Sequence, residues 1–448
     1  MFKVYRNNLL LICLSIFVLS SLIHFFYYRH APGIIISEDT YSYYLAGFQM
    51  YNKSIPVHYF RPPVYPFFLH GIMAVTGKPL EPMLTAPFYA RLPYIIILQS
   101  IMISLSNCLL YLTLRKIKVK SFPSLIFVLF ISFNIIIFSW FRLLLTEAVA
   151  VFLLSLFFYL TVSILIKPTL LKFMFLLVLS LFCVFLRPIY ILLPVVPTVI
   201  FVIYFQKLRI IFYCFTLLLI YFLSVFLYAG INYQYWGINN ISNASYITSF
   251  GKVLTYNLNI ETAKDDTYFY DKVKEYRALK KELNPFRFME YYNILNEASL
   301  PIHQKMKPFA NRVILANLPL FIIKGLFDMP KAIMEVSEKL ILLPASDSLT
   351  ARFFQISYLF YKNTQILFFL VLFLGPLFFI RLFFTRRLFP ASLAFLSIVS
   401  LYQIIFAVYF GYAEYGRLIV PAQPLIYLSV FLILFSQLKS KTGLLEDE

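Results

Sequence analysis

Acidic residues and glycines are scarce in this 448-residue chain, with 20 Asp and Glu against 39 Lys and Arg, and 12 Gly. Charged residues make up 13%, hydrophobic residues 61%, and the mean hydropathy is +0.80. This composition excludes a soluble globular protein of this length. The four cysteines lie inside apolar runs without metal-ligand spacing, so they predict neither disulfides nor a metal site.

The apolar runs are about 18–22 residues long, which suits membrane-crossing helices and not the shorter alternating strands of a membrane barrel. They predict an all-α polytopic membrane protein with about ten transmembrane helices. The predicted spans are 9–28, 92–114, 121–140, 146–166, 170–186, 188–205, 209–230, 364–382, 391–411 and 417–436. Residues 1–28, in which Lys3 and Arg6 precede an apolar run, predict an uncleaved signal anchor.

Basic residues give the chain a net charge of +19, but they lie mainly in short loops between apolar runs, which disfavours nucleic-acid binding. Placing these loops and both termini in the cytoplasm satisfies the positive-inside rule for a cell inner (plasma) membrane protein. Three parts result: a transmembrane core 1–230 with a first outer loop 29–91, an outer segment 231–363, and C-terminal helices with a cytoplasmic tail 364–448. We expect interfacial helices in the first outer loop and a mostly helical outer segment, with 313–345 re-entrant or interfacial.

The stretch Ser37–Gly47 follows the first apolar run and begins with two adjacent acids, Glu38 and Asp39. Residues Asp39, Tyr43, Ala46, Gly47 and Met50 fall on one helix face. Asp39 would lie near the helix start, where the backbone dipole favours negative charge. One interpretation is therefore an acid that caps an interfacial helix, and the other is a functional carboxylate.

Few other acids lie near the predicted spans. Glu147 is the only acid between Glu81 and Glu261, and Glu414 lies in the outer loop between the last two spans. The same outer side collects arginines that the positive-inside rule does not explain: Arg61, Arg142, Arg187 and Arg417. A single arginine there is explained by snorkelling. Together, acids and arginines predict an outward-facing polar cavity for an anion such as a lipid phosphate.

This residue set suits sugar transfer from a lipid phosphate. A base must accept the proton of the acceptor hydroxyl, and cations must stabilise the departing phosphate. One carboxylate is enough because the phosphate leaves without being protonated, in contrast to the acid-and-base pair of glycoside hydrolases.

Five short motifs follow one another along the chain: Asp39-Thr40-x-x-Tyr43, Arg61-Pro62-x-x-Tyr65-Pro66, Thr146-Glu147-Ala148, Leu186-Arg187-Pro188 and Arg417-x-x-x-Pro421-x-x-Pro424. Their order resembles the GT-C glycosyltransferases, in particular the protein O-mannosyltransferase-like and aminoarabinose-transferase-like group of bacteria. The resemblance covers most of 1–230 and 390–436 and hardly touches 231–363.

The resemblance implies a GT-C bundle whose catalytic acid lies in the first outer loop. It also implies a polyprenyl-phosphate sugar donor, an inverting single displacement, and a lipid, glycan or protein acceptor in the cell envelope. Asp39 would be the general base, and Arg61, Arg187 and Arg417 would bind the donor phosphate. Supporting positions would be Glu38, Tyr43, Tyr65, Arg142, Glu147 and Glu414.

The chain also departs from this family. No second acid lies near the Arg61-Pro62 motif, and adjacent acids on a helix point about 100° apart, so Glu38 and Asp39 are a poor metal pair. A divalent metal is therefore doubtful, and no other cofactor is indicated. Two alternatives stay open: a polysaccharide polymerase or ligase acting on lipid-linked glycans, and a lipid-linked glycan transporter. Mid-span charges and glycines are too few to favour the transporter.

Overall fold

The computed structural model describes residues 2–78, 81–279, 283–294, 299–344, 348–412 and 414–442, with side chains omitted for 2–7 and 437–442. The signal-anchor residues Lys3 and Arg6 and the basic tail residues Lys439 and Lys441 are among those omitted side chains, and residues 443–448 of the predicted tail lie outside these ranges. Within the described ranges, regular structure is helical, with an isolated β-bridge between Ile35 and Leu143.

The helices of the first half are α1 (Phe2–His30), α2 (Glu38–Asn52), α3 (Val64–Thr76), α4 (Ala86–Lys116), α5 (Ser121–Ser132), α6 (Ile135–Phe138), α7 (Glu147–Ile166), α8 (Leu170–Leu186), α9 (Val195–Phe205) and α10 (Leu208–Trp236). Those of the second half are α11 (Ala244–Thr255), α12 (Thr267–Ala278), α13 (Pro285–Tyr291), α14 (Leu300–Ala316), α15 (Leu318–Met334), α16 (Leu349–Thr364), α17 (Phe368–Thr385), α18 (Leu388–Phe410), α19 (Tyr415–Ile419) and α20 (Gln423–Thr442).

Eight helical segments of the described chain are long and apolar enough to cross a membrane, or up to ten if each of two bent pairs counts as one span. The bent pairs are 121–142, with a 56° break, and 300–340, with a 92° break. The prediction of an all-α polytopic membrane protein is confirmed. Its cause is local, because every backbone polar group in the bilayer must be hydrogen-bonded within its own helix.

Helix α8 corresponds to the predicted span 170–186, but its 17 residues make it one of the shorter apolar helices. Its length is about 25 Å at 1.5 Å per residue. It nevertheless lies antiparallel to α7. The contact between Arg187, just after α8, and Glu147, the first residue of α7, shows that the end of one helix is near the start of the other. The two helices therefore cover nearly the same depth.

Helices α16 and α17 form one continuous apolar element, Leu349–Thr385, so helical structure begins well before the predicted span at 364. The start of this element packs against the broken span around α5 and α6. There the Ser357 hydroxyl donates to the Phe133 carbonyl oxygen at 2.8 Å. Phe354, Tyr358 and Tyr361 of this element belong to the large buried core, so the element contributes to it before the predicted start at 364.

Residues of α11 to α14 build a second buried cluster, separate from the large transmembrane core. Phe250, Phe269, Phe288 and Phe309 form its centre. Helix α15 leaves this cluster at the 92° break and lies against α18, where the Tyr409 hydroxyl donates to the Ile322 carbonyl oxygen. Helix α15 is therefore one attachment of the segment 231–363 to the membrane helices.

Candidate active site

Ser37, and not Asp39, caps the N-terminus of helix α2. The Ser37 side chain accepts from the Thr40 backbone N–H, and the Thr40 side chain accepts from the Ser37 backbone N–H, which is a capping box. The Thr40 hydroxyl also donates to the carbonyl oxygen of Leu144, just before α7. Because Ser37 and Thr40 satisfy the helix start, the Asp39 carboxylate is available for other contacts.

Arg61 binds the start of α2. Its Nη2 donates to Asp39 Oδ1 and its Nε donates to the Ser42 hydroxyl at 2.8 Å. The guanidinium carbon lies 4.2 Å from the centre of the Tyr43 ring and 4.4 Å from that of Phe60. These cation–π contacts and hydrogen bonds fix the plane of the guanidinium group.

His58 holds the Arg61 loop, and the sequence analysis missed it. Its Nδ1 accepts from the backbone N–H groups of Phe60 and Arg61 at 3.1 Å each, and its Nε2 lies 2.8 Å from Gln49 Oε1. This pattern fits the neutral ring protonated at Nε2. Burial, with added repulsion from Arg61 and Lys53, lowers the pKa of His58 to about 3. Its one sequence signal is its place three residues before Arg61.

Arg417 on α19 binds three carboxylates. Its Nη1 donates to Asp39 Oδ2 and, at 3.1 Å, to Glu414 Oε2, while its Nε donates to Glu147 Oε1 at 2.7 Å. Gly416 permits this placement, because a Cβ there would lie 2.3 Å from the Glu335 carbonyl oxygen. Only a glycine lets α19 approach the end of α15 so closely.

Glu147 is fully buried at the start of α7, and its carboxylate contacts two arginines. Besides Arg417, the Nη2 of Arg187 lies 3.8 Å from Glu147 Oε1. Arg187 Nη1 and Glu147 Oε2 are buried and have no hydrogen-bond partner among the described residues. We call Asp39, Glu147, Glu414, Arg61, Arg187 and Arg417 the acid–arginine cluster. Its three carboxylates balance its three guanidinium groups.

The charge state of Asp39 is set by its two arginines. Burial by itself would raise the pKa of Asp39, but the charges and hydrogen bonds of Arg61 and Arg417 outweigh it and hold this pKa well below its usual range. Asp39 is therefore ionised. While both of its oxygens accept from guanidinium groups, it is a weak base.

Of the remaining predicted site residues, Tyr43 and Tyr65 are packed against each other, whereas Glu38 and Arg142 do not contact the cluster. Tyr43 and Tyr65 pack edge to face with ring centres 5.1 Å apart, and the buried Tyr65 hydroxyl donates to Gln99 Oε1. Glu38 is exposed to solvent. Arg142 lies apart from the acid–arginine cluster, because its Nε and Nη2 donate to the Gly33 carbonyl oxygen at 3.0 and 2.7 Å.

The residues around Asp39 do not resemble a metal site. Both Asp39 oxygens are bound to arginines, and its neighbour Glu38 is exposed. In the part of the chain that the structure describes, no three His, Cys, Asp or Glu side chains come together to hold an ion.

A second buried polar group beside Arg417 was also missed by the sequence analysis. Lys252 on α11 donates to the hydroxyls of Tyr415 at 2.9 Å and Tyr256 at 3.3 Å. Both hydroxyls in turn donate to Asp328 Oδ2 on α15, at 2.8 and 2.9 Å. We call these four residues the lysine–tyrosine network. It joins helices α11 and α15 to α19.

Comparison with solved structures gives a likeness in fold, and comparison by sequence gives none. No family model matches the chain, and no curated protein matches it in sequence. The fold is similar to that of the archaeal oligosaccharyltransferase AglB from Archaeoglobus fulgidus, solved in complex with an inhibitory peptide and a dolichol-phosphate, with a TM-score of 0.47 and 12% identity. The alignment covers 97% of this chain and 52% of that one, so this chain spans about half the length of that protein.

Proposed function

We propose that this chain is an integral membrane glycosyltransferase of the GT-C type, which transfers a sugar from a polyprenyl-phosphate donor to an envelope acceptor on the outer side of the membrane. One observation carries the proposal: the Asp39 carboxylate is held between Arg61 and Arg417, in a cluster built from α2, α7 and α19. The cluster lies at the ends of apolar helices, where a lipid phosphate would arrive.

The reaction is an inverting single displacement with Asp39 as general base. The acceptor hydroxyl oxygen attacks the anomeric carbon, the bond from this carbon to the phosphate oxygen breaks, and the hydroxyl proton passes to Asp39. The lipid leaves as polyprenyl phosphate. Base catalysis of this kind contributes about 10²- to 10⁴-fold in rate.

The arginines connect donor binding to the basicity of Asp39. Arg61 and Arg417 can exchange an Asp39 oxygen for a phosphate oxygen, since guanidinium groups bind both in the same bidentate way. Loss of these contacts would return the pKa of Asp39 towards its usual range and make it a stronger base. As Asp39 gains a proton, the phosphate gains a negative charge, so the total charge of the site is unchanged during transfer.

Arg187 is the third arginine that we assign to the donor. Its Nη1 is buried and has no partner among the described residues, so it retains a donor for a phosphate or sugar oxygen. Glu147 would hold Arg187 and Arg417 in position through its contacts with both guanidinium groups. Such preorganised cations need little rearrangement as charge develops on the phosphate.

The test is donor hydrolysis by purified protein in lipid, with radiolabelled polyprenyl-phosphate sugars and no acceptor. Wild type should release polyprenyl phosphate, and Asp39→Asn should lower the rate about 10²- to 10⁴-fold without loss of folded protein. Glu38→Gln, which changes the adjacent exposed acid, is the matched control and should keep the wild-type rate. Turnover that survives Asp39→Asn would contradict the general-base role and favour a polymerase or ligase. Absence of binding to every lipid-phosphate sugar would overturn the proposal.

A further inference from the structure

The lysine–tyrosine network is buried where three helices meet. Lys252 on α11 is 1% exposed, although it carries an ammonium group. Burying an unpaired charge is costly, so a buried lysine is retained only with partners. Here its partners are two tyrosine hydroxyls that both donate to one oxygen of Asp328.

The network reaches the acid–arginine cluster through α19. Tyr415, which bridges Lys252 and Asp328, is the first residue of α19, and Arg417 is the third. A second contact acts on the same turn, since the Glu335 carboxylate at the end of α15 interacts with the backbone N–H groups of Tyr415 and Gly416. Helix α15 therefore holds the five-residue α19 at two points.

Helix α19 is the first turn of a longer helical span, Tyr415–Ser436, and no side chain caps it. Its N-terminal flanking residue, Glu414, is in the left-handed region with φ of 49°. The N–H groups in the first turn of a helix have no partner within the helix. The start of this span, which carries Arg417, is therefore held by tertiary contacts.

We infer that Lys252 and Asp328 are positioning residues for Arg417, acting through Tyr415, and that they couple the packing of the outer segment to the acid–arginine cluster. The coupling itself rests on geometry alone, while its effect on turnover rests on the proposed function. A displacement of about 1 Å at a catalytic group can cost roughly 10²-fold in rate. Loosening of α19 would therefore lower donor turnover without removing any group that touches the donor.

The lysine–tyrosine network also predicts a pH above which the positioning of Arg417 weakens. Burial lowers the pKa of Lys252 to about 8, although Asp328 opposes this and Lys331 adds to it. The charged groups around Lys252 are thus Asp328 and Lys331 of α15, with Tyr256 of α11 and Tyr415 of α19 as its hydroxyl partners. The positive charge of Lys252, which is linked to Asp328 through the two tyrosine hydroxyls, is present below about pH 8 and is lost as pH rises through this value.

The direction of the Lys252 pKa shift distinguishes a local loosening of α19 from unfolding of the whole protein. The pKa of Lys252 in the folded protein lies below its ordinary value of 10.5, so loss of the proton does not lower the stability of the whole fold. A change confined to α19 above about pH 8 is therefore expected without global unfolding.

The experiment measures backbone amide hydrogen exchange over residues 414–420 in the full-length protein, together with donor turnover against pH. Lys252→Met and Asp328→Asn should each speed exchange in this segment about tenfold or more, while other regions keep their protection. The double variant should be no worse than either single variant, because both changes disrupt the same hydrogen-bond network. Lys264→Met, which changes an exposed lysine of the same segment, is the matched control and should leave exchange and turnover as in wild type.

Two further variants keep the test decisive. In Lys252→Arg the side chain stays positively charged at alkaline pH, so donor turnover should persist to a higher pH than in wild type. Tyr415→Phe removes the hydroxyl bridge without changing any charge, and should reproduce the faster exchange if Lys252→Met fails to fold. Unchanged exchange at 414–420 in folded Lys252→Met and Tyr415→Phe overturns the inference. Faster exchange in a protein that hydrolyses no donor would leave the coupling intact and refute the proposed function alone.

Discussion

The guanidinium group of Arg417 donates a hydrogen bond to the carboxylate of Asp39, across 378 positions of sequence. Asp39 follows the first apolar helix and Arg417 lies at the start of the last one, and both are at helix starts. Their contact closes the helical bundle at the site where the acids converge. Because Arg417 also binds the buried Glu147, a change at any one of these residues affects the others.

Glu147 and Glu414 both bind Arg417 and differ in burial, which makes them a matched pair. The Glu147 side chain is 0% exposed and that of Glu414 is 56% exposed. Glu147→Gln leaves buried arginines without their charge partner and should cost about 3–5 kcal/mol in the free energy of unfolding. Glu414→Gln should cost less than about 1 kcal/mol. Thermal unfolding in detergent measures both, and equal effects would contradict the buried role of Glu147.

Arg417→Lys tests whether the shape of the guanidinium group matters beyond its charge. A lysine ammonium is a point charge and cannot bridge Asp39 and Glu147 while presenting a paired donor set to phosphate. We expect polyprenyl phosphate to bind at least about tenfold more weakly, since hydrogen bonds to charged groups contribute about 1.5–3 kcal/mol. Arg312→Lys, at an exposed ion pair with Asp265, is the control. Binding equal to wild type would remove Arg417 from the donor site.

Arg142 should behave as a structural residue. Its side chain binds the Gly33 carbonyl oxygen and lies 5.0 Å from the centre of the Tyr27 ring. Arg142→Lys should lower the free energy of unfolding by about 1.5–3 kcal/mol through the weakened hydrogen bonds. The affinity of the folded fraction for polyprenyl phosphate should not change. Weaker lipid binding at unchanged stability would instead place Arg142 in the donor site.

His58 gives a prediction for acidic pH. Its pKa is lowered from 6.5 to about 3, so the folded protein binds fewer protons at this residue than the unfolded chain does. The stability that it contributes is therefore present above pH 6.5 and is lost as pH falls towards 3. Melting temperatures between pH 7 and 5 should fall more in wild type than in His58→Gln, which keeps a polar side chain without titrating. Parallel curves would show that His58 does not contribute.

The helix content and the first catalytic candidate could be predicted locally. Asp39, Glu147 and Arg417 stood out because acids, and arginines outside the short basic loops, are rare, and the structure brings all three into contact. Lys252 and His58 gave no comparable signal. A lysine in a mixed-charge segment looks like any solvated lysine until its burial by α15 and α19 is known.

The interpretation of Asp39 as a helix cap shows where local pattern was insufficient. Ser37, two residues earlier, makes the cap with Thr40, and the sequence is compatible with either residue in this role. The choice depends on the contacts of Asp39 with Arg61 and Arg417, which lie 22 and 378 residues away. Arg142 shows the converse, since its position beside a span suited the cluster but its side chain packs elsewhere.

The sequence by itself determined that the chain is a helical membrane protein, and it identified the few polar side chains at the ends of its apolar runs. Both follow from short-range physics, because hydrophobic length and intrahelical hydrogen bonding act within one segment. Only the tertiary structure decided which arginine meets which acid, that α19 is held by α15, and that Lys252 is buried beside it. Such pairings depend on side chains from segments hundreds of residues apart, whose approach is fixed by the packing of the whole bundle.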